Sequence, residues 1–286
     1  MSRAHRPAMA RHAAVALLAA VASCDPGATR TPALPAAPRR VVSLAPSCTE
    51  TLVELGLADR LAGISDYCPE LPAGLAAARV GGLVNPNVEA ILALRPDLVL
   101  TVQNVEDRAL AALRRRGVAV HAEDPQSLEE VLAEIGRLGA LFGAGARAGE
   151  LVASLRERLE RVRLRHEARG ARPRVYVEVD WPQCWTIGRR SFVHDALRAA
   201  GGENVFEDLD AAYAEVSKEE ILARRPDWVV LLHAIDRPLA ERPELAALEA
   251  VRAGRVIADL DRDSLLRSSP RLVRGVELLA RRLAGE

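Results

Sequence analysis

Residues 89–100 read EAILALRPDLVL, and residues 219–230 read EEILARRPDWVV. The matching positions are Glu89/Glu219, Ile91/Ile221, Leu92/Leu222, Ala93/Ala223, Arg95/Arg225, Pro96/Pro226, Asp97/Asp227 and Val99/Val229. Each copy opens with acidic and apolar residues at helical spacing and closes in an apolar run suited to a buried strand. Arg-Pro-Asp separates the two, because a residue ahead of proline is disfavoured in helical geometry. The chain therefore builds one helix–turn–strand unit twice. A matched acidic residue on each of two similar lobes suits a partner with two-fold symmetry.

The surroundings of each copy agree. Before the first lie short strand signals at 40–44 and 61–64, with a helix between them that Ser47 or Thr49 can cap. After it come a helix at 107–116, a stop at Gly117 and a strand at 118–120. The second half repeats the plan, with a strand at 174–179, a helix at 194–200, the second copy, Gly254 and a strand at 256–258. Strands that alternate with helices predict an α/β fold with a mostly parallel sheet in each lobe, flanked by helices. Between the halves, residues 127–169 carry helical periodicity and almost no strand signal. Gly143 and Gly145 divide this stretch, leaving one long helix near 146–168 as a rigid connector between the two lobes.

The expected organisation is a signal segment at 1–24, a tether at 25–38, an N-terminal lobe at 39–126, connecting helices at 127–170 and a C-terminal lobe at 171–286. Arg3, Arg6 and Arg11 precede a short apolar run, and Val21-Ala22-Ser23-Cys24 closes it like a lipoprotein processing site. Cys24 is the expected lipidation site; simple cleavage of the signal is the other outcome. Both place the chain outside the cytoplasm, with the membrane reached through a lipid anchor only. The tether, DPGATRTPALPAAP, reads as extended chain.

The 39 basic and 39 acidic residues balance, so a nucleic-acid partner is not expected. Lys218 is the single lysine. Such arginine richness is a coding bias, and arginine alone is weak evidence for phosphate recognition. No G-x-G-x-x-G follows a strand, and neither a P-loop nor a G-x-S-x-G is present, which speaks against an enzyme. Ligands of open α/β sheets bind beyond the carboxyl ends of strands. Tyr67, Trp181 and Trp185 fall in such loops although aromatics make up only 3% of the chain. Trp228, inside a strand, is expected in the core. Cys48, Cys68 and Cys184 also fall in these loops. They can serve as small buried residues, as a Cys48–Cys68 disulfide or as metal ligands; a thiol-based metal-binding module is thus a rival reading. His121, His194 and His233 lack metal-ligand spacing.

The phrases RRVVSLAPSCTETL, VGGLVNPNVEAILALRPDLVL, GGENVF, VSKEEILARRPDWVV and SSPRLV occur in one order. Together they resemble the solute-binding proteins of ABC importers for cobalamin, haem and ferric siderophores, from about Arg39 onward, with the closest likeness to the cobalamin binders. The resemblance implies a monomeric receptor without an intrinsic cofactor. Its ligand is a cobalt corrinoid or an iron chelate, held between the lobes and passed to a dimeric permease with its ATPase. The strand-end loops offer Pro46, Ser47, Tyr67, Trp181, Trp185 and Arg267 as ligand contacts, and the resemblance implies Glu89 and Glu219 as permease-docking residues. Capping of a helix start explains Glu220 without a partner. This chain has Leu83, Val102 and Ser264 where cobalamin binders of this kind carry aromatics, which keeps haem and siderophores open as ligands.

Overall fold

The computed structural model describes residues 32–286, apart from 104–106, 171 and 235–238. Cys24 and its signal segment, the first part of the tether and Asn104 lie outside the described residues.

The N-terminal lobe contains β1 (Val41–Ser43), α1 (Pro46–Glu54), β2 (Leu61–Ile64), β3 (Ala78–Arg79), α2 (Val88–Ala93), β4 (Leu98–Val102), α3 (Asp107–Arg115) and β5 (Ala119–Glu123). Its sheet runs β3-β2-β1-β4-β5, with every pair parallel. Strand alternation feeds two cores. Val41, Leu98 and Leu100 pack with Leu52 of α1. Val42, Val99 and Val120 pack with Ile91 of α2 and Leu113 of α3. Both faces are covered, as a parallel sheet requires.

Two helices follow, α4 (Leu128–Leu141) and α5 (Gly145–Glu167). The chain then forms β6 (Arg174–Asp180), β7 (Trp185–Ile187), α6 (Phe192–Ala199), β8 (Glu203–Asn204), β9 (Tyr213–Glu215), α7 (Lys218–Arg224), β10 (Trp228–Leu231), α8 (Pro243–Ala246), α9 (Glu249–Arg252), β11 (Val256–Ile257), α10 (Asp263–Leu266) and α11 (Arg271–Leu283). The C-terminal sheet runs β11-β10-β6-β7-β9, with β8 also on β6. The β6–β7 and β7–β9 pairs are antiparallel and the remaining pairs parallel. The stretch 180–185, expected as an open loop, is a tight connection between antiparallel β6 and β7, and Trp185 is already in the strand.

The repeated phrase performs the same structural work in both lobes. Asn87 caps α2 by accepting from Ala90 N at 3.0 Å, and Ser217 caps α7 by accepting from Glu220 N at 3.1 Å. Glu220 closes a capping box back onto Ser217. Arg95 and Arg225 then take left-handed backbone, with φ of 47° and 49°. The aspartates clamp the neighbouring strand. Asp97 Oδ2 accepts from Arg39 N and Asp227 Oδ2 from Arg174 N, both at 2.8 Å. In return Asp97 N donates to Arg40 O and Asp227 N to Arg174 O. Each repeat strand thereby sits beside the first strand of its lobe.

The connector is a pair of helices rather than one. α5 has 23 residues and spans roughly 34 Å at 1.5 Å per residue. It starts on the N-terminal lobe, where Arg147 Nη2 donates to Glu54 O, and ends on the C-terminal lobe, where Gly201 packs on His166. α4 runs the other way. Leu128 N donates to Asp195 Oδ2 of α6 at 3.0 Å, whereas Leu138 and Phe142 join the N-terminal core. Gly139 lets the pair approach closely, since a Cβ there would lie 2.2 Å from Ala148 Cβ.

Candidate functional site

Pro46 opens α1 at a position that needs no backbone N–H. It directs Ser47 toward the carboxyl end of β5. There Ser47 Oγ donates to Glu123 Oε1, and Ser268 Oγ from the C-terminal lobe donates to the same oxygen at 3.1 Å. Burial pushes the Glu123 carboxyl up to about 7, against the pull of these two hydrogen bonds. A second polar group lies beside it. Glu50 of α1 accepts from Arg267 Nη1, from Ser269 Oγ at 2.6 Å and from Arg271 Nη1 at 3.3 Å. Arg267 also binds Asp263 Oδ2 at 2.6 Å. Ser47 and Arg267, expected as ligand contacts, are thus engaged across the seam between the lobes in this structure.

On the C-terminal lobe, β6 carries Glu178 at 0% exposure, with Val177 and Val179 on either side. Its Oε1 contacts Arg242 Nη1 at 2.6 Å and His233 Nε2 at 2.7 Å, and its Oε2 accepts from Tyr176 OH at 3.2 Å. Burial, then the Glu178 charge, push the Tyr176 phenol up and keep it a donor. Arg242 is 1% exposed, and among the described residues its Nε and Nη2 have no hydrogen-bond partner. Its guanidinium carbon stands 4.0 Å from the Trp181 ring centroid, and Lys218 Nζ stands 5.3 Å from it. Trp181 is thereby fixed at the end of β6 over a buried charge cluster. Trp185 is 37% exposed, and Tyr67, beyond β2 in the other lobe, is 64% exposed. These are the aromatic faces left open at the strand ends.

Among the described residues the three cysteines form no disulfide. Cys48 and Cys68 are free thiols in the N-terminal core, and Cys184 is buried in a C-terminal core. Burial, then Glu123, hold the Cys48 thiol well above its usual range. Cys68 is satisfied by Thr49 Oγ1 at 3.1 Å and Ser65 Oγ at 3.3 Å. Among the described residues no group of three or more His, Cys, Asp or Glu side chains is placed to hold a metal. His121 bonds Glu134 and His194 bonds Asn204. Leu83 and Val102 pack on the N-terminal core, and Ser264 Oγ donates to Asp261 O.

Glu89 and Glu219 are exposed, each at the second position of its helix. Glu178, Arg242 and Glu123 escaped the sequence reading. A glutamate in the run VYVEVD was the available signal for the first. Among the described residues no helix is long and apolar enough to cross a membrane.

Comparison with known proteins agrees with this architecture. The vitamin B12-binding protein of Vibrio cholerae serotype O1 (strain ATCC 39541 / Classical Ogawa 395 / O395) is 31% identical over 86% of this chain and 91% of its own length. The uncharacterized ABC transporter substrate-binding lipoprotein YvrC of Bacillus subtilis (strain 168) is 30% identical over 85% of this chain and 79% of its own. A solved periplasmic heme-binding protein, BhuT, in complex with two hemes superposes with a TM-score of 0.76 at 29% identity, covering 86% of this chain and 98% of that one. Residues 41–262 match the family described as periplasmic binding protein, and the chain belongs to that family, a binding protein and not an enzyme.

Proposed function

We propose that this chain is the extracytoplasmic binding subunit that captures cobalamin or a related corrinoid and delivers it to an ABC permease. The observation that carries the ligand class is the set of aromatic faces at the strand ends, Tyr67 on one lobe and Trp181 and Trp185 on the other. A large flat macrocycle buries well against such side chains. Arg267 is held by Glu50 and Asp263, and Arg242 by Glu178. With those cations committed to carboxylates, an amide-rimmed corrin suits the site better than a ligand that needs two carboxylates neutralised. Haem is the second reading, favoured by the exposed Tyr67 phenol, a recognised iron ligand. A ferric siderophore fits the same architecture.

Glu89 and Glu219 are proposed as the docking pair. They stand exposed at equivalent positions of equivalent units, and capping is done by Asn87 and Ser217 instead. Cys24 is proposed as the lipid anchor, in keeping with the lipoprotein relative.

Calorimetric titration of the mature protein with cobalamin, cobinamide, haem and a ferric siderophore tests the ligand. The expected result is saturable 1:1 binding of cobalamin or cobinamide, weakened at least tenfold by Trp181→Ala. Saturation by haem or siderophore with no corrinoid heat overturns the reading.

A further inference from the structure

Away from the seam, a cavity of about 240 Å³ opens between α5 and α11. Arg158, Arg161, Arg165 and Arg169 follow one face of α5 and its continuation at helical spacing, and Arg281 of α11 faces them. Counter-charge meets only part of this set. Arg158 donates to Glu277 from Nε at 2.9 Å and Nη2 at 2.7 Å, and Arg169 pairs with Glu286 at 2.5 Å. Among the described residues Arg161, Arg165 and Arg281 form no ion pair. Arg158 holds the Glu277 carboxyl below its usual range, and Arg281 and Arg161 add to that pull. Several cations thus share one carboxylate. Elsewhere on α5 the charge is balanced, with Arg163 bound to both Glu160 and Glu167 at 2.6 Å. Like charges four residues apart, as Arg161 and Arg165 are, repel one another on a helix.

A second observation points to the same place. His166 lines the cavity at 8% exposure, and among the described residues its Nε2 has no hydrogen-bond partner. A buried polar nitrogen left unmet is costly unless a ligand meets it. Guanidinium forks match the oxygens of a phosphate group in geometry as well as charge.

We propose that the α5–α11 cavity is an oxyanion site that takes a phosphate group, with Arg161, Arg165 and Arg281 supplying charge and His166 Nε2 a directional hydrogen bond. The phosphate is either inorganic phosphate or the headgroup of an anionic lipid.

Both sources are tested on the full chain. One arm titrates inorganic phosphate by calorimetry. The other measures co-sedimentation with phosphatidylcholine vesicles with and without phosphatidylglycerol. Saturable 1:1 phosphate binding assigns the free anion, and phosphatidylglycerol-dependent sedimentation without it assigns the headgroup. In the arm that binds, Arg161→Gln/Arg165→Gln/Arg281→Gln, all surface changes, is expected to weaken binding at least tenfold. His166→Phe, which leaves the charge at neutral pH unaltered, is expected to weaken it at least threefold. No binding in either arm overturns the proposal, as does a triple variant that binds like the wild type. A loss in the triple variant with a folded His166→Phe unaffected reduces the effect to diffuse attraction and also overturns the site.

Discussion

Replacing Arg242 with Met would test whether a buried ion pair holds Trp181 in place. Arg242 and Glu178 are 1% and 0% exposed and meet at 2.6 Å. Removing the cation leaves the carboxylate buried with, among the described residues, Tyr176 and His233 as its side-chain partners. Breaking such a pair costs about 3–5 kcal/mol, because an uncompensated charge stays in the interior. A domain of this size loses about 2–4 °C of Tm per kcal/mol, so a fall of roughly 10 °C is expected. The double variant Glu178→Gln/Arg242→Met removes both charges and is expected to recover most of the loss. Urea unfolding followed by circular dichroism gives the free energies for the cycle. Trp181 supplies a local readout, since the guanidinium stands 4.0 Å from its ring. Its fluorescence should change, and ligand affinity should fall, in the single variant. A single variant within about 1 kcal/mol of wild type, or a double variant no more stable than the single, would refute the reasoning.

Three further outcomes follow from the same geometry. Burial raises the Glu123 carboxyl to about 7, so the folded state holds a proton that the unfolded chain releases near its ordinary 4.5. Stability contributed by this group is therefore lost as pH rises from about 4.5 to 7, by up to roughly 3 kcal/mol at 1.36 kcal/mol per unit. Glu123→Gln should flatten that slope in urea midpoints measured at pH 5 and 8; an unchanged slope would remove Glu123 as its source. Gly139→Ala should cost about 1–3 kcal/mol by overpacking α4 against α5. Gly139→Ala/Ala148→Gly should restore it, because the clash is with the Ala148 methyl. Glu89→Ala/Glu219→Ala should leave ligand affinity within about twofold and abolish stimulated uptake in proteoliposomes carrying the permease and ATPase, since both side chains are exposed and neither is its helix's cap. Full uptake by that variant would end the docking assignment.

What was legible in the sequence was local chemistry. The repeat announced itself because caps, a left-handed turn ahead of proline and an aspartate clamp all act within a few residues of one another. The long α5 was legible for the same reason. β7 and β9 were missed, since three-residue strands leave too short a pattern to read and β9 pairs with a strand some 28 residues back. The seam was hidden by distance as well. Ser47 meets a glutamate 76 residues away, and Arg267 meets one 217 residues away. Both were expected as ligand contacts, but no periodicity says that each would face a carboxylate of this chain. Arg242 was one arginine among many, and only its burial, its ion pair with Glu178 and its position over Trp181 distinguish it.

The pairing of α4 with α5 bears on how a ligand enters. A single connecting helix can bend at one point, whereas two antiparallel helices packed through Gly139 and Ala148 must bend together or slide. Each helix also has one end in each lobe, so relative rotation strains four anchorages instead of two. Wide separation of the lobes is therefore disfavoured by covalent and packing constraints alike. What can move at low cost is the polar seam, whose Glu50 and Arg267 groups are held by hydrogen bonds that water or ligand amides can replace. Under the proposed function, selectivity then rests on the fixed aromatic faces beside a seam that can open without breaking the helix pair.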